Sequence, residues 1–169
     1  MTDYLQARFT ENAKEELENY ISKGIVKTEK DSWRVLLYCD DNGIFIPAIH
    51  LRNCLVNAGK EFKVKKQKRS MMQWCISNVI VEPDKIYLKK SAPDKLVASN
   101  PRRKDGSVVS IVHPAVNAKT EFDFHLSLID GKDMEKQAIV NLVETAGKMY
   151  GIGARRRDMY GRFEVVSLN

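Results

Sequence analysis

Apolar and polar positions follow two different periods along the chain, and the expected elements lie where each period holds. The clearest case is residues 120–130, where Phe122, Phe124, Leu126 and Leu128 alternate with Glu121, Asp123, His125 and Ser127. A period of two puts one set on a core face and the other in water, as in a strand covered on one side. Weaker alternation marks strands at 4–10, where Leu5, Ala7 and Phe9 share a side, and at 72–81, where Met72, Trp74, Ile76, Asn78 and Ile80 do. Residues 33–39 are apolar and β-rich and read as a buried strand. Asp40-Asp41-Asn42-Gly43 then makes a hairpin turn, because Asn-Gly tolerates positive φ, and 44–46 is the return strand.

The helical period appears twice. After Pro47, whose missing N–H costs nothing at a helix start, Leu51, Leu55, Ala58 and Phe62 fall on one face of a helix over 47–62. Ile139, Leu142, Val143, Ala146 and Tyr150 do the same over 133–149, with Asp133 and Glu135 at the positive end of that helix. A short helix over 13–22 follows Asn12 and stops at Lys23-Gly24. Residues 86–88 and 108–112 read as the arms of a protruding hairpin. Between them 89–106, rich in Lys, Ser, Pro, Asn and Arg, is the least globular part. A last strand covers 162–168.

The strongest elements give the order β-α-β-β-α-β, an α+β, ferredoxin-like (RRM-like) sheet. It carries two insertions, 11–46 and 82–119, the second thumb-like, and a glycine-rich loop before the last strand. Taking 33–39 as the first core strand keeps the plan and makes 1–31 an extension. With 169 residues, one domain over 1–169 is expected.

Charge changes the picture more than composition does. The net charge is +6, and the excess is clustered. Lys60, Lys63, Lys65, Lys66, Lys68 and Arg69 face Glu61 alone; Arg102-Arg103-Lys104 is a second cluster; Arg155-Arg156-Arg157 with Arg162 is a third. Three such clusters point to a polyanion, although a set of scattered solvated faces gives the same count. The third cluster lies in Gly151-Ile152-Gly153-Ala154-Arg155-Arg156-Arg157-Asp158-Met159-Tyr160-Gly161-Arg162, which holds three of the nine glycines. Glycine lets backbone N–H groups approach a ligand closely, and arginine grips phosphate with two donors. The plainer reading is a helix C-cap followed by a solvated turn.

Other chemistry is sparse. Cys39, Cys54 and Cys75 form no C-x-x-C and read as reduced thiols of a cytoplasmic protein. His50, His113 and His125 are isolated, so no metal site and no cofactor is expected. G-I-G follows a helix rather than preceding one, which excludes a dinucleotide fingerprint. No apolar run is long enough for a membrane span, and the N-terminus lacks the pattern of a signal peptide.

The β-α-β-β-α-β plan, IPAIHLRNCLVNAG opening the first helix, and GIGARRRDMYGRFEV before the last strand together resemble the repeat-associated RNA-binding (RAMP) superfamily, which includes backbone subunits of CRISPR effector complexes. The ending is also similar to that of phage-encoded proteins. The chain is shorter than a typical backbone subunit, and Arg155-Arg156-Arg157-Asp158 replaces the usual mix after G-x-G. The resemblance implies a non-catalytic binder of single-stranded RNA or DNA whose copies line up along the strand as a homo-oligomer or filament. Gly151, Gly153 and Gly161 would shape a phosphate-facing loop, Arg155, Arg156 and Arg157 would bind phosphate, and 89–104 would act as the thumb. Tyr160, Phe163 or Tyr87 would stack on bases, with core packing the plainer role of Phe163. Some members of the superfamily cut RNA without metal through a histidine, which makes His50 and His113 the candidates for an endoribonuclease. Asp123 with Glu121 or Asp130 is a third option, for metal-assisted cleavage. A protein–protein adaptor, such as an inhibitor of a CRISPR-type complex, would use the same fold with no nucleic acid. Glu121 and Asp123 on the solvent face of 120–130 would repel phosphate, which places a bound strand along the loop and insertions.

Overall fold

The computed structural model describes residues 4–5, 22, 33–64, 70–99, 105–108, 111–131 and 134–167. It is an α+β structure of small antiparallel sheets packed with helices. Its centre is β3 (Gly43–Pro47), which pairs with β2 (Cys39–Asp40) on one side and β5 (Lys85–Tyr87) on the other. The expected Asn-Gly turn forms: the Asn42 N–H donates to Asp40 Oδ1 at 2.9 Å and Gly43 has φ +115°. Along β3 the alternation is strict. Ile44 and Ile46 are fully buried, while Phe45 faces the other way, opposite Tyr87.

Pro47 leads into α2 (Ala48–Ala58), named after the short helix α1 (Trp33–Leu36). Ala48, Leu51, Cys54, Leu55 and Ala58 form its buried face, as the 3.6 period requires. Burying Leu51 and Leu55 completely contributes about 1.5–3 kcal/mol each. A 3-10 turn over Gly59–Glu61 ends the run, and Phe62 is half-buried against the core.

Several expected strands are corrected. Residues 33–36 are helical, closed by Leu37 N–H donating to the Trp33 carbonyl at 2.9 Å, so of the strand expected over 33–39 only Cys39 pairs as a strand. The strand expected over 72–81 is α3 (Met71–Asn78) followed by β4 (Val79–Glu82). Ser70 caps α3 by accepting from the Gln73 N–H at 3.4 Å, and the buried residues Met71, Trp74 and Cys75 are spaced for a helix. The Arg52 guanidinium holds the far end of α3, donating to the carbonyls of Ile76 at 2.6 Å and Val79 at 3.1 Å. The long strand at 120–130 contracts to β8 (His125–Leu128), which pairs antiparallel with β4.

The hairpin expected between 86–88 and 108–112 does not form with those arms. β5 pairs with β3, and the hairpin is built from β6 (Lys95–Ser99) and β7 (Ile111–Val116), with β1 (Tyr4–Leu5) on the other side of β7. The second helix is α4 (Lys136–Thr145) continued by a π turn over Ala146–Tyr150. Leu142, Val143 and Ala146 are buried on it, and Ile139 and Tyr150 pack partly against the core. Residues 162–167 run without strand pairing, held instead by single contacts such as Phe163 N–H to the Gly147 carbonyl at 3.4 Å. Among the described residues the strands therefore fall into three small sheets, not one four-stranded sheet. Of the strand expected over 4–10 and the helix over 13–22, residues 6–10 and 13–21 lie outside the described residues.

Candidate nucleic-acid interface

The glycine–arginine loop is a closed structure resting on its own backbone. The Gly151 N–H donates to the Ala146 carbonyl at 2.8 Å, which completes the π turn, and Gly151 then turns the chain at φ +66°. Ile152 is buried as an anchor, and its N–H donates to the Gly161 carbonyl at 3.0 Å. The two limbs thus run side by side, with residues 154–160 as the tip. A Cβ on Gly161 would collide with the Ile152 carbonyl, one on Gly151 with the Gly161 carbonyl, and one on Gly147 with Phe163. The missing side chains of Gly151 and Gly161 therefore make room for protein backbone. Gly153, at φ +82°, is half-buried. Phe163 is buried, edge-on to Phe122 with ring centroids 6.0 Å apart.

The four arginines divide into two pairs. Arg155 and Met159, both left-handed (φ +54° and +68°), bracket a 3-10 turn over Arg156–Asp158. Arg155 Nε donates to Asp158 Oδ2 at 2.7 Å, and its guanidinium lies 5.6 Å from the Tyr160 ring centroid. Arg162 donates to the Arg156 carbonyl at 3.1 Å and reaches Met159 Sδ at 3.8 Å. These two hold the tip in shape. Arg156 and Arg157 are exposed on it.

The loop lies close to the first turns of α2. His50 and Cys54 are one turn apart there, and Cys54 Sγ donates to the Ala146 carbonyl at 3.3 Å. Burial pushes the Cys54 thiol up to about 12, with the charges of Arg156 and Arg162 pulling the other way. His50 is held below its ordinary value by burial and then by Arg156, and His113, on β7, by burial and then by Arg155. The fold thus brings both histidines under the influence of the loop arginines, a grouping that their sequence positions do not reveal. The Tyr38 ring, which meets His50 edge-on at 5.2 Å, is an addition that the sequence pattern gave no cause to select.

The other expected contacts are separate. Lys63 is exposed beyond the C-terminal end of α2, bridged through its backbone to Ser70. Lys65, Lys66, Lys68, Arg69, Arg102, Arg103 and Lys104 lie outside the described residues. Tyr160 is half-buried beneath Arg155, and Tyr87 is half-buried on β5. Glu121, Asp123 and Asp130 are exposed, with Asp123 3.5 Å from Lys89 Nζ. A shallow groove of about 440 Å³ at 88–90 and 117–121 carries Lys89, Lys90 and Lys119. Among the described residues no group of three or more His, Cys, Asp or Glu is placed to hold a metal ion. Nor is any described helix long and apolar enough to cross a membrane. Compared with protein-family models, curated proteins and solved structures, the chain matches none.

Proposed function

We propose that the protein binds single-stranded nucleic acid, RNA or DNA, without catalysis, and that several copies assemble along one strand. The observation that carries this reading is the loop tip. Two exposed arginines, Arg156 and Arg157, project from a short turn that Arg155, Arg162 and the glycine-mediated backbone contacts hold in place. Phosphate gains from arginines carried on a backbone already held in shape, because less backbone freedom is lost on contact. The net charge of +6 supplies the long-range attraction.

The ferredoxin-like plan belongs to the same reading. β3, α2, β4, β8, α4 with its π turn, and the extended segment 162–167 occur in the split βαβ order, with α3 inserted before β4 and β5, β6 and β7 inserted before β8, and β4 pairs antiparallel with β8 as the two middle strands of that plan do. Membership of the RAMP superfamily is proposed on this order and on the two motifs.

A second reading, a metal-independent endoribonuclease, draws on one observation. His50 and His113 both lie within reach of the loop charges, which, with burial, favour their neutral, proton-accepting forms.

The test is fluorescence anisotropy of labelled single-stranded RNA, single-stranded DNA and duplex DNA at two salt concentrations, followed by gel analysis of the RNA. Salt-sensitive binding that prefers single strands, with the RNA left intact, supports the binder. Cleavage that survives chelator and is lost in His50→Ala or His113→Ala selects the nuclease. Absence of binding at low salt removes both.

A further inference from the structure

A connected row of rings runs from the start of α2, through Tyr38 before β2, onto the outer face of β3 and β5. His50 meets Tyr38 at 5.2 Å (75° between planes), Tyr38 meets Phe45 at 6.0 Å (46°), and Phe45 meets Tyr87 at 5.8 Å (63°). Phe45 and Tyr87 are direct cross-strand partners. They point away from the core side, where Ile44, Ile46 and Ile86 are buried. All four rings are half-buried, so each keeps some surface open to solvent. Two cations lie along the row: Arg156 acts on His50 at one end, and Lys85 Nζ lies 4.9 Å from the centroid of Phe45, the third ring. The acid on this face, Asp40, is occupied: it accepts from Lys85 Nζ at 2.6 Å and from the Tyr87 hydroxyl at 2.9 Å.

We infer that this row is a stacking platform for the bases of a single strand whose phosphates enter at the arginine tip. The inference rests on the nucleic-acid reading above and adds the path of the strand. It runs from Arg156, past His50, onto Tyr38, Phe45 and Tyr87. Solvent-facing rings flanked by cations match a polymer that alternates flat apolar bases with anionic phosphates, and every base has a π face to offer. The acidic face near Glu121 and Asp123 meets this path beyond Tyr87, where Asp123 lies 3.5 Å from Lys89 Nζ and is paired with it.

The test compares the wild-type protein with Phe45→Leu, which keeps apolar bulk and removes the π face, and with Arg156→Ala/Arg157→Ala. Each is titrated with a fluorescent single-stranded oligonucleotide and with an abasic strand of the same length. Far-ultraviolet circular dichroism and thermal unfolding check that each variant is folded. Phe45→Leu is expected to weaken binding of the base-bearing strand about fivefold or more, with its salt slope and its abasic affinity unchanged. Equal affinities for wild type and Phe45→Leu, with the double arginine variant still altering the salt slope, would overturn the platform and leave the binder standing. A dimer that sediments as a monomer only in Phe45→Leu, with oligonucleotide affinity unchanged, would assign the face to a second copy and overturn it too. If wild-type protein binds neither strand, the platform falls with the binder.

Discussion

Gly161→Ala tests whether the loop owes its shape to backbone contact. Gly161 has φ +68°, and a Cβ there would overlap the carbonyl oxygen of Ile152, a backbone atom that cannot swing aside. The left-handed conformation alone costs about 1–2 kcal/mol for a non-glycine residue. Parting the limbs also removes the Ile152-to-Gly161 hydrogen bond, worth about 0.5–1.5 kcal/mol net. The expected loss is therefore about 1.5–3.5 kcal/mol, before any loosening of buried Ile152 is added. Gly106 provides the control: it too has positive φ, +85°, but a Cβ there meets nothing within 4 Å, so Gly106→Ala carries the conformational cost alone. Urea unfolding followed by circular dichroism reads the difference. With a urea slope of about 1–3 kcal/mol per molar, the Gly161→Ala midpoint falls by roughly 1 M, more than that of Gly106→Ala. Equal midpoint shifts in the two variants would refute the close-contact account of the loop.

Other expectations follow from the same geometry. Arg52→Met removes two hydrogen bonds from a charged donor to the carbonyls of Ile76 and Val79 and lowers stability by about 1–3 kcal/mol in the same urea assay. The histidines set a pH dependence. His50 and His113 are both held below their ordinary value of 6.5, so the folded protein binds fewer protons than the unfolded chain. Their contribution is complete above about pH 6.5 and is lost as pH falls, and His113→Gln flattens thermal stability measured across that window. Among the three cysteines, half-buried Cys39 reacts first with a thiol reagent at pH 8. Cys54 and Cys75, pushed up to about 12 and about 11 by burial, react only as the protein opens, which mass spectrometry of the labelled peptides resolves.

The two main helices were legible because their faces repeat over three turns or more: Leu51, Leu55 and Ala58 on α2, and Leu142, Val143 and Ala146 on α4, are buried as their spacing demands. The Asn42-Gly43 turn was legible because few residues tolerate its geometry. Residues 71–78 were not, because a short apolar run satisfies both periods. There the deciding mark was Ser70 with Gln73 three positions on, a helix-capping pattern that was present in the sequence and outweighs the apparent alternation. The segment 162–167 has strand-like composition but finds no neighbouring strand among the described residues, and strand formation requires a partner that composition cannot supply. At the candidate site the loop itself was visible as glycines and arginines. Its division of labour was not: Arg155 and Arg162 turn inward through Asp158 and the Arg156 carbonyl, contacts that depend on how the loop closes. The meeting of the loop with His50 and His113, about 40 to 100 residues away in the chain, depends on tertiary packing alone.

The most direct test of the central proposal is the salt dependence of single-stranded RNA binding by wild type and by Arg156→Ala/Arg157→Ala. Each phosphate contact on a single strand contributes about 0.7 to the slope of log affinity against log salt, so losing two lowers its magnitude by about 1.4. Between 50 and 200 mM salt the wild type should then lose about sevenfold more affinity than the double variant. A difference of that size, with both proteins equally folded, places phosphate at the loop tip. Parallel slopes would contradict the account and remove the glycine–arginine loop from the binding surface.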